Sequence, residues 1–304
     1  MKLHPRRFLS GLALLGLAAP SLSAAPLRVL YFTKSAGYEH SVVKRVDGRP
    51  SHSERILAAL AEKHDLAFTF SKDGSLFTPE YLARFDVILF YTSGDLLGAG
   101  GDGQPAMTLA GKQALLDAVA GGKGFMALHS GADTFHTGES GGGNPAARGG
   151  RYLNHGDASD PYIRMLGGEF ISHGAQQVAK ARVVDPAFPG CGGLGEALDL
   201  KEEWYSNKEF ASDLHVLLVM ETAGMEGGDY RRPPYPLAWA RPYGRGRVWF
   251  NAMGHREDVW DNPQFQALLL GGIAWAGGRV SADVRPNLAQ SAPGADTLPP
   301  PPGP

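Results

Sequence analysis

The chain has a single cysteine, Cys191. No intrachain disulfide can form, so the core alone has to stabilise the fold, as it does in many exported bacterial proteins. An excess of charge of one sign is missing as well. The 29 basic and 31 acidic residues leave a net charge of -2, which gives no electrostatic case for a nucleic acid or an anionic membrane as partner. The glycine-rich loops have neither GxGxxG nor Walker spacing, so nucleotide binding has no support. There is no HExxH and no internal repeat. The apolar run Phe8 to Ala19 is too short to span a bilayer easily.

What is present is enough for a large core: 304 residues, 43% of them apolar, make one large domain or two small ones. The 41 glycines and 22 prolines predict long, shaped loops. Lys2, Arg6 and Arg7 precede the apolar run, and Ser21, Ser23 and the alanines after it are small enough for cleavage near Ala24 or Ala25. Residues 1–24 therefore read as a signal peptide, of ordinary or twin-arginine type. Its removal would leave a periplasmic or secreted protein with no stable membrane association. Beyond Val280 the composition shifts to Pro, Ala, Ser and Gly, and residues 281–304 are expected to be disordered.

Between these ends the pattern alternates. Leu27–Thr33, Asp65–Phe70, Asp86–Tyr91 and Phe125–Leu128 read as buried strands. Helices are expected from Ser53 to about His64, after Thr78-Pro79, and over Gln113–Val119. This order predicts a parallel, doubly wound α/β sheet. Residues 138–150 form a long glycine-rich loop. A short helix after Asp160-Pro161, strands at Val178–Val184 and His215–Glu221, a hairpin of Pro236–Arg241 with Arg247–Ala252, and a helix from Pro263 to about Ala276 complete the chain. Lys201–Tyr205 reads as irregular.

The stretch Gly124 to His136 is the sharpest local signal. Its strand breaks into His129-Ser130-Gly131, the shape of a nucleophile elbow at the carboxyl edge of a sheet. His40, His129, His173 and His255 all stand at ends of predicted elements, with Asp133, Glu203 and Glu257 as nearby carboxylates. Neutral imidazole serves as general base or metal ligand near pH 7. If residues 129–136 were helical, His129, Asp133 and His136 would share a face fit for a divalent metal. The alternative for that stretch is a capping Asp133 and an exposed His136. Tyr38, Trp204 and Tyr205 are candidate sugar platforms, whereas Trp239 and Trp249 read as core.

Five stretches together resemble the ThuA-like (trehalose-utilisation) family: Thr33–His40, Gly124–Ser130, Leu166–Phe170 with His173, Glu202–Tyr205, and Pro236–Trp239 through Gly254-His255. The resemblance covers Leu27 to Gly278 within a domain of residues 25–280. It implies a flavodoxin-like three-layer sandwich, similar to class I glutamine amidotransferases, and a link to sugar metabolism. Those enzymes have a thiol at the elbow, where this chain has His129; their His-Pro-Glu resembles His255-Arg256-Glu257. Thiol-dependent glutamine hydrolysis is therefore not expected. The catalytic set expected is His129, His255, Glu257, Glu203 and, as a fallback nucleophile, Ser130. Tyr38, His40, His173, Trp204, Tyr205 and Asp133 are expected to bind a small carbohydrate, with no cofactor required and a divalent metal as the lesser possibility. The alternatives are a non-catalytic carbohydrate-binding or sensing module and a metal-dependent hydrolase.

Overall fold

The computed structural model describes residues 1, 25–137 and 150–301. The leader expected at 1–24, Met1 aside, and the loop up to residue 149 lie outside the described residues. The chain begins in β1 (Leu27–Phe32), buried everywhere except Arg28. Helix α1 (His52–Ala61) crosses to β2 (Leu66–Ser71), parallel to β1 with Leu27 opposite Leu66. The helix is capped by Ser51 rather than Ser53. Ser51 Oγ accepts from Glu54 N while the Glu54 carboxylate accepts from Ser51 N, a capping box that satisfies two otherwise unpaired donors. Ser53 instead turns inward to Tyr31 Oη at 3.0 Å.

Helix α2 (Pro79–Leu82) starts at Thr78 with Pro79 in its first turn, and β3 (Val87–Phe90) lies parallel on the other side of β1. Helix α3 (Leu109–Ala120) leads to β4 (Gly124–Leu128), parallel to β3. Strands β3 and β4 are buried at every residue, as a sheet covered on both faces requires. Helix α4 (Pro161–Leu166) and β5 (Glu169–His173) follow. Next come β6 (Gln177–Val183), β7 (Ala197–Glu202), β8 (Tyr205–Lys208) and β9 (His215–Glu221). The expected hairpin is β10 (Tyr235–Tyr243) with β11 (Gly246–Asn251), and β11 returns parallel to β4. Helices α5 (Glu257–Trp260), α6 (Pro263–Ala276) and α7 (Leu288–Ser291) end the chain.

The main sheet runs β2-β1-β3-β4-β11-β10-β9-β6-β7, and β5 pairs with β8 in a separate ribbon. This is the flavodoxin-like α/β sandwich, with a parallel half from β2 to β11 extended by antiparallel strands. The loops after β1 and β3 meet where the strand order reverses. Ala36 N and Gly37 N both donate to Ser93 O, at 2.8 and 2.9 Å. Gly94 (φ 72°) lies so close that a Cβ there would fall 2.5 Å from Gly37 N. Among the described residues no helix is long and apolar enough to cross a membrane.

Two expectations fail here. The stretch 201–205 is not irregular: it is the end of β7, a two-residue break and the start of β8. The tail is not disordered as far as residue 301. Asn287 pairs with both backbone groups of Val216, Arg182 donates to Ser291 O, Arg232 donates to Ala295 O, and Ala292 and Ala295 are buried. These are mostly backbone anchors, which a composition rich in Pro and Ala does not reveal.

Candidate active site

The parallel strands bring three loop ends to one edge of the sheet. His40 lies in the loop after β1, His129 directly follows β4, and His255 follows β11. Their rings pack edge-to-face in a triangle, with centroids 4.9 Å (His40–His129), 5.1 Å (His40–His255) and 5.3 Å (His129–His255) apart. Glu203 reaches the triangle from the break between β7 and β8. Its Oε2 lies 3.5 Å from His129 Nε2 and 3.0 Å from His255 Nδ1, and its Oε1 lies 3.4 Å from His173 Nδ1. One ligand-type atom from each of His40, His129, Glu203 and His255 lies within 4.8 Å of the others.

His129 is the tip of the elbow. Its φ is +42°, a left-handed conformation costly for any residue with a Cβ. Its Nδ1 is 2.8 Å from Ala252 O, and a carbonyl can only accept, so the proton sits on Nδ1. That leaves the Nε2 lone pair facing Glu203, and Nε2 is buried with no hydrogen-bond partner among the described residues. Tyr205 packs against this ring at 3.9 Å. Burial, first of all, pushes the His129 imidazole below its ordinary pKa, with His255 adding to the effect and Glu203 opposing it. His40 is driven down as well, to about 2, by burial and then by its two imidazole neighbours.

His255 goes the other way. Burial pulls it down, but the contact with Glu203 outweighs this and the net shift is upward. The Gln176 amide meets its Nε2 at 3.0 Å, and Arg256 donates to Gln176 Oε1. Glu203 is held well below the usual carboxylate range: burial opposes ionisation, and His129 and His255 overcome it. Glu202, next in sequence, accepts from Gly254 N and His255 N. Burial lifts its pKa to about 7 despite those bonds.

The other candidates divide. Tyr38 is 68% exposed, its ring edge-on to His40 at 4.9 Å. His173 stands at the rim, stacked on Tyr205 at 5.7 Å. Trp204 is no sugar platform: it is fully buried, its indole N–H donating to Gln177 O. Tyr205 is buried too, a wall of the His129 pocket rather than an open face. Glu257 does not orient a histidine, because it opens α5 and accepts from Ser41 Oγ at 2.6 Å. Ser130 Oγ is buried with no hydrogen-bond partner among the described residues, so none of them is placed as a base to take its proton.

Asp133 and His136 belong to a second cluster. His136 is buried, not exposed, with Nε2 2.5 Å from Asp133 and Nδ1 2.9 Å from Glu169. Arg151 lies 3.4 Å from Asp133, and Lys208 lies 3.4 Å from Glu169. A metal-binding face of His129, Asp133 and His136 is therefore not formed, since the segment is not an α-helix and the last two residues are spent on each other. Sequence reasoning missed Gln176, Glu202, Glu169 and Lys208. Of these Glu169 and Glu202 had a visible signal, since both lie in stretches that carry the family resemblance.

A flavodoxin-like sandwich with a strained elbow after a central parallel strand defines the class I glutamine amidotransferase-like fold, here without the thiol. Cys191 is buried, and burial pushes its pKa up to about 12. The model of the trehalose-utilisation family, ThuA, matches residues 28–144 and 137–276, and the chain belongs to that family. Its fold is similar to that of a ThuA-like protein of Bacteroides uniformis, at TM-score 0.59 and 17% identity over 85% of this chain and 95% of that one. A ThuA-like protein of Parabacteroides merdae is similar at TM-score 0.53 and 19% identity, over 85% and 93%. A cytoplasmic protein of Salmonella typhimurium follows at 0.51 and 14%, over 81% and 98%. No curated protein matches the chain. The family points to a role connected with carbohydrate.

Proposed function

We propose that the protein acts on a sugar or an oxidised (keto) sugar derivative, moving protons between imidazole and carboxylate groups at the His129 pocket. The observation that supports this most is a single carboxylate, Glu203, set between two imidazoles whose surroundings push them apart. His129 is shifted down and His255 up. Adjacent groups with opposed shifts can serve as base and acid. His129 then takes a proton beside a carbonyl or from water, His255 returns one to an oxygen of the substrate, and Glu203 holds both rings. Tyr38 offers an exposed aromatic face for a pyranose ring, and His173 a hydrogen-bonding group at the rim. The basic and then apolar start of the chain supports export, so that the substrate is met in the periplasm or outside the cell.

The test is turnover of keto-glycosides by His129→Ala and His255→Ala. Each should lose about 10²–10⁴-fold in rate. Unchanged activity in both would contradict the proposal. The missing elbow thiol favours a second reading, a binding module without chemistry; tight sugar binding with no turnover by the unaltered protein is its signature.

A further inference from the structure

We infer that His40, His129, Glu203 and His255 hold a divalent transition-metal cation of the zinc class. Three imidazoles and one carboxylate converge from four separate segments, with their ligand-type atoms within 4.8 Å of one another. Around a tetrahedral ion with bonds of about 2.1 Å, neighbouring ligand atoms lie roughly 3.4 Å apart. Two contacts already have that spacing: Glu203 Oε2 is 3.5 Å from His129 Nε2 and 3.0 Å from His255 Nδ1.

A second, independent observation is the orphaned nitrogen. His129 has no exposure, and its Nε2 is aimed into the cluster without a hydrogen-bond partner among the described residues. A buried polar atom left unpaired is costly, and a cation satisfies it. The outer contacts also fit. Metal-bound histidines commonly donate their other ring N–H to a carbonyl or carboxylate, which fixes the ring. His129 Nδ1 does so to Ala252 O, and the second oxygen of Glu203 is met by His173. Packing three imidazoles together is unfavourable for protonation but favourable for binding a cation, because neutral nitrogens are the ligating form. Imidazole with one carboxylate suits Zn²⁺ better than Mg²⁺ or Ca²⁺, which prefer oxygen.

The inference rests on the reading of this pocket as the reactive site and refines it. A cation there polarises a substrate oxygen and lowers the pKa of a bound water, so it takes over the part given above to a free imidazole base. The test uses the whole protein, stripped with chelator and titrated with Zn²⁺ and with Co²⁺. Binding is read by elemental analysis after desalting, by the visible spectrum of Co²⁺ and by thermal shift. One equivalent per chain is expected, with a Co²⁺ spectrum of nitrogen and oxygen coordination. His129→Ala and the near-isosteric Glu203→Gln should each lose about 10-fold or more in affinity, while the exposed control His64→Ala should bind as the parent does. No stoichiometric ion, or equal binding by Glu203→Gln, would overturn the inference. The two readings fail separately: sugar turnover by ion-free protein sinks the cation and leaves the proposed function. Site-dependent cation binding with no turnover does the reverse.

Discussion

Glu203 Oε2 lies 3.0 Å from His255 Nδ1. The contact joins the break after the last edge strand of the sheet to the loop after β11, near its centre. It brings the antiparallel extension of the sheet into a site otherwise built by the parallel half. The break between β7 and β8 is what lets Glu203 turn inward while its neighbours, Glu202 and Trp204, anchor it on either side.

Trp204 illustrates the anchoring. Its ring is fully buried and its N–H is bonded to Gln177 O. Trp204→Ala should cost about 3–5 kcal/mol of stability, read as a fall in the urea midpoint. A stable variant that lost only sugar affinity would contradict its placement in the core.

The elbow has its own signature. At φ +42°, His129 bears a conformational penalty that glycine escapes. His129→Gly should therefore unfold at higher denaturant than His129→Ala, by about 1 kcal/mol, although it removes one more carbon. The reverse order would show that the elbow relaxes on substitution.

His136 should make stability depend on pH. Burial opposes its protonation, but the Asp133 and Glu169 carboxylates prevail over burial and over Arg151, raising its pKa to about 9. Among the described residues, Lys208, facing Glu169, is a further charge packed against the pair. Because the folded value exceeds the unfolded one, the contribution is complete below about pH 6.5 and is lost as pH rises through 9. It is on the order of 3 kcal/mol. Urea midpoints measured from about pH 6 to 10 should fall more steeply for the parent protein than for His136→Gln. Parallel curves would refute the pairing.

Asn287 closes a strand edge. Val216 N–H donates to its Oδ1 at 2.6 Å, and its Nδ2 donates to Val216 O at 3.1 Å. β6 pairs with β9 only from Leu218 onward, so these groups have no strand partner on that side. Asn287→Ala should cost about 1–3 kcal/mol in denaturant unfolding. A neutral result would mean that the tail does not support the sheet.

The parallel half of the fold was legible because β3 and β4 are unbroken apolar runs and β1 is interrupted only by Arg28, each ending in turn residues. The edge strand β7 was not: Asp199 and Lys201 alternate with apolar residues on a half-exposed strand, and the pattern is too short to distinguish from a loop. The tail was misread because Asn287 and Arg232 hold it through backbone groups. At the site, His129 and His255 were singled out by their positions at element ends, and Glu203 only as a carboxylate in a stretch read as irregular. Trp204 was misplaced because the stretch around it read as an irregular loop, whereas it sits in a two-residue break between two strands and is fully buried. The pairing of His136 with Glu169 spans 33 residues and has no local sequence signal.

The most direct measurement is kcat/KM of Glu203→Gln on a keto-glycoside that the parent protein turns over. The substitution keeps the shape of the side chain and removes the charge that holds His129 and His255. The account predicts a fall of about 10²-fold or more with the fold intact. A value within about twofold of the parent would contradict it.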